Sequence, residues 1–303
     1  MGAGTSGAGA APACAPSGAG AFAAGAALAT VALWATNFPA IRYALAAYAP
    51  GEVAALRCAF GALAMGAYAL VARMPLPAWR DWPALFLFGC SGVALSSLGL
   101  GYGLRTVSAG AGAFVIGMIP VFSALLARRF LGERLRAMGW LGIAVCVCGV
   151  VTIALGEGGA LRLNGGVALL AGSAFAQAVF YVFQKPYLRR YTPAQITAGV
   201  VWCGALVLAF WLPGALARMA EAPWRHTAAL AWQGVFPISF AFMLWSFALA
   251  RARAALVTSA VYLMPLISLG LAWAWLGERP GLATLSGGAL ALGGVALLNT
   301  WGR

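Results

Sequence analysis

The chain contains one stretch twice. The first copy runs from Tyr102 to Arg134 and ends Ile119-Pro120-Val121-Phe122-Ser123 … Leu131-Gly132-Glu133-Arg134. The second runs from Phe247 to Arg279 and ends Met264-Pro265-Leu266-Ile267-Ser268 … Leu276-Gly277-Glu278-Arg279. The two lie 145 residues apart, and the offset continues through Gly142 with Gly287 and Gly149 with Gly294. Nearer the start, an offset of 143 pairs Tyr48-Ala49-Pro50 with Tyr191-Thr192-Pro193 and Arg42 with Lys185. The ordered set divides the chain into a tail over 1–19 and two copies of one unit, 20–155 and 163–300.

Composition says what kind of unit this is. The chain is 63% apolar and 8% charged, with a mean hydropathy of +0.90. A soluble domain carries about 25% charged residues, so the expectation is an all-α membrane protein whose principal partner is the lipid bilayer. The net charge of +13 sits as single or paired arginines between apolar runs. It reads as loop decoration and not as a nucleic-acid surface. Six cysteines have no metal-ligand spacing, and the single histidine, His226, lies near a helix start. No cofactor is expected. Residues 1–19 lack the basic start of a cleaved signal peptide and read as a disordered tail.

A spanning helix needs ~20 apolar residues. Charged and Pro/Gly-rich breaks give ten: 20–44, 53–72, 82–103, 107–127, 137–155, 164–186, 195–214, 227–249, 254–275 and 282–300. Five per copy is an odd number, so the second copy enters the membrane from the opposite face and the fold is two inverted five-helix repeats. Such a fold places a small-molecule site near the midplane and opens it to either side in turn. Twelve Lys/Arg on one side against six on the other put both termini in the cytoplasm. Arg57, inside the second helix, belongs to neither tally.

Three stretches carry a family resemblance: Leu33-Trp34-Ala35-Thr36-Asn37-Phe38, Ala40-Ile41-Arg42-Tyr43-Ala44-Leu45 and Ala55-Leu56-Arg57. Together with the doubled proline-to-glutamate stretch they resemble the EamA-type transporters of the drug/metabolite transporter superfamily. That resemblance implies a monomeric secondary transporter of the bacterial inner membrane. Its members include exporters of amino acids and related metabolites, the YddG-like aromatic amino-acid exporters among them. Exporters of drugs, nucleosides or organic cations share the fold and stand as the alternative. A membrane enzyme or scaffold is a remote third reading, because the sequence shows no catalytic set and no soluble domain.

The residues expected to face the substrate are polar or aromatic side chains deep in the helices: Trp34, Asn37, Ser96, Tyr102, Phe114, Met118, Gln177, Tyr181, Ser239, Trp245 and Tyr262. Thr258 and Ser259 sit at similar depth. Gln177 and Tyr181 fall on one helix face. Asn37 and Gln177 each carry a full amide that lipid cannot satisfy, and both are expected to line the cavity. Pro120 and Pro265 each remove a backbone donor inside a helix and are expected to act as hinges. The glycines of helices five and ten read as close packing of those helices along the pseudo-twofold axis. All six acids lie at helix ends or in loops, so transport is expected to proceed without proton coupling.

Overall fold

The computed structural model describes residues 18–158, 164–251 and 260–302. Most of the expected tail, and the hydroxyls Thr258 and Ser259, lie outside them. Helices are the regular secondary structure among the described residues, with no strands. Among the described residues, nine helices are long and apolar enough to cross a membrane: α1 (Phe22–Ala44), α2 (Pro50–Val71), α3 (Trp79–Gly103), α4 (Ala109–Leu131), α5 (Ala137–Gly158), α6 (Gly165–Phe183), α7 (Pro193–Glu221), α8 (Trp224–Trp245) and α10 (Leu282–Trp301). A shorter apolar helix, α9 (Ala260–Leu276), completes the second copy.

Short connections alternate between two faces. The face where α1 passes to α2 carries the contacts Arg42–Glu278, Glu52–Arg218 and Ser108–Glu157. The opposite face carries Lys185–Glu133 and Tyr191–Asp81. We call the first face A and the second face B.

The repeated stretch has a simple local cause. In α4 the helix stops at Gly117 and restarts at Ile119, so Pro120 sits in the first turn of the new segment, where its missing N–H has no intrahelical partner to lose. Pro265 stands in the same place in α9, after a tight turn over Ala260–Leu263. Each segment ends at a glycine with φ of +69°, Gly132 and Gly277. That left-handed cap suits glycine, which has no Cβ to clash. It turns the chain so that Glu133 and Glu278 follow at the membrane face. The proline starts a helix and the glycine ends it, which fixes the spacing between proline and glutamate.

The two copies pack about a pseudo-twofold axis. Helix α3 lies against α6 and α7, and α8 lies against their counterparts α1 and α2. Counterparts α5 and α10 face each other, as do α2 and α7. The glycines of α5 and α10 are crossed: a methyl group on Gly142 would stand 2.6 Å from the carbonyl oxygen of Gly294, and one on Gly149 2.5 Å from that of Gly287. Backbone meets backbone on both sides, so these helices are as close as side-chain-free packing permits.

The ladder is also irregular in matched places. A seven-residue π-helical stretch, Gly89–Leu95, interrupts α3, and another, Gly234–Phe240, interrupts α8. They are 145 residues apart, at the repeat offset. Gly89 presses on Val200, Cys203 and Gly204 of α7, while Gly234 presses on Arg57, Phe60 and Gly61 of α2. These neighbours are counterparts too, at the 143-residue offset.

Candidate substrate-binding site

The deep residues fall into separate groups. Trp34 Nε1 donates to the carbonyl of Pro237, in the irregular stretch of α8, at 3.1 Å. The Trp34 ring lies 5.2 Å from that of Trp245 and 5.5 Å from that of Phe242. Tyr262 accepts a hydrogen bond from Asn299 Nδ2 at 2.6 Å. Trp34, Trp245 and Tyr262 pack on the same core that contains Phe114 and Met118. Phe114 fills the space that a side chain at Gly288 would need.

The others stand apart. Gln177 donates to the Tyr181 hydroxyl within its own helix at 3.2 Å, and Tyr181 belongs to a second core with Phe88 and Phe180. Ser96 bonds the Gly92 carbonyl one turn back, and Ser239 bonds the carbonyls of Gly61 and Gly234. Both serines serve the backbone around the irregular stretches. Tyr102 is exposed at 43%. Asn37 lies two turns from the face-A end of α1, whereas Gln177 lies two turns from the face-B end of α6, so the two amides sit at different depths.

A cavity of about 860 Å³ opens between α3 and α6, lined largely by apolar groups such as Leu87, Phe88, Leu95 and Phe183. None of the sequence-derived residues lines it. A smaller cavity of about 340 Å³ lies at face A among Arg42, Ser108, Glu157, Glu278, Arg279 and Thr284.

A different set of groups marks the interior. Among the described residues, the buried side-chain atoms without a hydrogen-bond partner are Asn37 Oδ1, Arg57 Nε and Nη1, Gln233 Oε1 and Ser268 Oγ. Arg57 is 6% exposed and Gln233 fully buried. Counting along each helix from its face-A end, all four residues lie roughly 10–14 Å deep. Three of them are on touching segments. Gln233 Nε2 donates to the carbonyl of Thr36, the residue before Asn37, at 3.0 Å. The next residue, Gly234, rests on the backbone carbonyl of Arg57. The break in α1 at Thr36 places that carbonyl within reach of Gln233.

The repeat makes this set more specific. At the repeat offsets, Asn37 corresponds to Phe180, Arg57 to Val200 and Gln233 to Phe88. Phe88 from the first copy and Phe180 and Val200 from the second form one apolar cluster, with the Phe88 and Phe180 rings 6.0 Å apart. The same scaffold position is therefore packed with hydrocarbon on one side of the pseudo-twofold axis and holds a guanidinium and two amides on the other. Sequence reasoning passed over Arg57 and Gln233. Aligning the two copies position by position would have exposed the exchange.

Comparison with known proteins settles the family. The sequence profile of the EamA-like transporter family matches residues 21–155 and again 164–300. The chain belongs to the EamA-like transporter family. A protein of Streptantibioticus cattleyicolor named "Probable terminal-alkyne amino-acid exporter" is 36% identical over 276 residues, covering 90% of this chain and 93% of that one. An "Uncharacterized transporter YdfC" of Bacillus subtilis is 32% identical over 265 residues, covering 88% and 87%. A solved crystal structure superposes with a TM-score of 0.61 over 91% of this chain and 95% of that one at 22% identity, and bears on the fold alone. This EamA chain is thus a multi-pass membrane protein whose relatives are named as transporters.

Proposed function

We propose that this EamA chain is a secondary transporter of a bacterial inner membrane that exports amino acids or closely related small metabolites by alternating access. Both termini are cytoplasmic, and the monomer is the working unit. The observation that carries the substrate class is the relative at 36% identity, matched nearly end to end and named as a probable amino-acid exporter. The breaks at Pro120 and Pro265 supply hinges in α4 and α9, and the irregular stretches of α3 and α8 supply flexible ladders beside the site.

Export runs without proton coupling in this reading. Glu52 is held by Arg218 and the Ala49 N–H, and Glu278 by Arg42 and the Ala109 N–H. Glu157 is held by Ser108 and Thr284, Glu133 by Lys185 and Asp81 by Tyr191. Glu221 is exposed at the end of α7. These acids lie at the faces, where a proton relay through the site has nothing to hop to.

The test is uptake of labelled amino acids, a nucleoside and a quaternary ammonium compound into proteoliposomes. Amino-acid uptake saturating above the protein-free background is the expected result. Uptake of the nucleoside or the cation alone would replace the reading.

A further inference from the structure

We infer that Arg57 holds the carboxylate of the substrate and that the side-chain oxygens of Asn37 and Gln233 face its ammonium group. The inference rests on the amino-acid reading above and names the recognition site for it.

The argument begins with cost. A guanidinium stays protonated in any protein environment. Placing a charged group in the interior of a membrane helix is costly, and such groups are ordinarily paired. Arg57 lies two turns inside α2, and the ion pairs among the described residues are Arg42–Glu278, Lys185–Glu133 and Arg218–Glu52. Its Nε and Nη1 have no acceptor. Packing does not call for an arginine at this place, since Val200 fills the equivalent position in the other half.

The chemistry of the neighbours completes the site. A guanidinium is a charged, planar set of N–H donors that binds carboxylate oxygens strongly. Asn37 Oδ1 and Gln233 Oε1 are acceptors that lack donors. The orientation of the Gln233 amide is set by its Nε2 donating to Thr36, which leaves the oxygen free. An ammonium group offers three donors and no acceptor. An α-amino acid carries both groups on one carbon, and its binding would bring an acceptor to Arg57 and donors to Asn37 and Gln233. A lone guanidinium repels an organic cation, so the same residues select against that cargo. The polar trio occurs on one side of the pseudo-twofold axis only, which suits a single small substrate bound off that axis.

Thermal unfolding of the purified full chain, with and without L-leucine or L-phenylalanine, tests this together with uptake. L-Leucinamide, which lacks the carboxylate, and 4-methylpentanoate, which lacks the ammonium, serve as truncated probes. Wild type is expected to be stabilised by at least one amino acid and not by leucinamide. Arg57→Met is expected to unfold at the same temperature as wild type or higher without ligand, to lose the ligand-induced shift, and to transport at least tenfold more slowly. Arg57→Lys should recover part of the shift. Gln233→Leu should weaken leucine more than 4-methylpentanoate. If Arg57→Met keeps both the shift and the transport, or if it lowers the ligand-free unfolding temperature, the assignment is overturned while amino-acid export stands. If wild type itself neither binds nor transports either amino acid, the export reading fails and the site assignment goes with it.

Discussion

Arg42 donates from Nε to Glu278 at 2.9 Å, tying the end of α1 to the end of α9. Arg42 also reaches the Leu104 carbonyl, and the second oxygen of Glu278 accepts from the Ala109 N–H. The counterparts at face B, Lys185 and Glu133, meet at 3.6 Å and are more exposed. One pseudo-symmetric latch is tight and the other loose. Glu278→Gln should raise the labelling rate of a cysteine placed at Thr106 several-fold and lower the unfolding temperature. Glu133→Gln should change stability by less than ~1 kcal/mol, since exposed pairs contribute little. Equal effects of the two substitutions would contradict the asymmetry.

The crossed glycines of α5 and α10 leave no room for a side chain. Gly149→Leu or Gly294→Leu should cost at least the ~1–3 kcal/mol typical of overpacking, because backbone atoms stand in the way and cannot rotate aside. Folded yield and unfolding temperature should fall, and the apparent affinity of whatever protein remains should stay near wild type. Normal yield in both variants would refute the packing assignment.

Orientation follows from the arginine tally and is checked by thiol labelling on a cysteine-free background. A cysteine at Thr106, on face A, should react from outside the cell. One at Pro75, on face B, should react only once the membrane is permeabilised. The reverse pattern would place both termini outside.

Energy coupling is tested directly in proteoliposomes. Counterflow should proceed without an imposed pH gradient and should change by less than twofold when an ionophore collapses one. Glu52→Gln weakens the capping of α2 and the contact with Arg218, so it should reduce stability and leave the pH response of transport flat. Uphill accumulation driven by a pH step, and lost in Glu52→Gln, would overturn the facilitator reading.

The doubled Pro120 and Pro265 stretch made the repeat legible in the sequence, and glycine spacing alone made the α5–α10 packing legible. Side-chain choice is harder to read, because depth in a helix does not say whether a polar atom already has a partner. Ser96 and Ser239 look like site residues by depth and turn out to bond backbone carbonyls. Arg57 looks like one more arginine in a basic chain, and what sets it apart is that its buried Nε and Nη1 touch no acceptor. That property belongs to three helices together. The irregular stretches of α3 and α8 were equally hidden, since a π-helical turn has no residue pattern of its own.

The crossed contact of Gly142 with Gly294 and of Gly149 with Gly287 has an implication for origin. Each half meets the other with the same patch that the other presents in return, which is the rule for a twofold homodimer. A single five-helix chain inserted in both orientations could have built this interface with a second copy of itself. Fusion of two such chains would then free the halves to diverge, so that Val200 and Arg57 could serve different ends on one inherited frame.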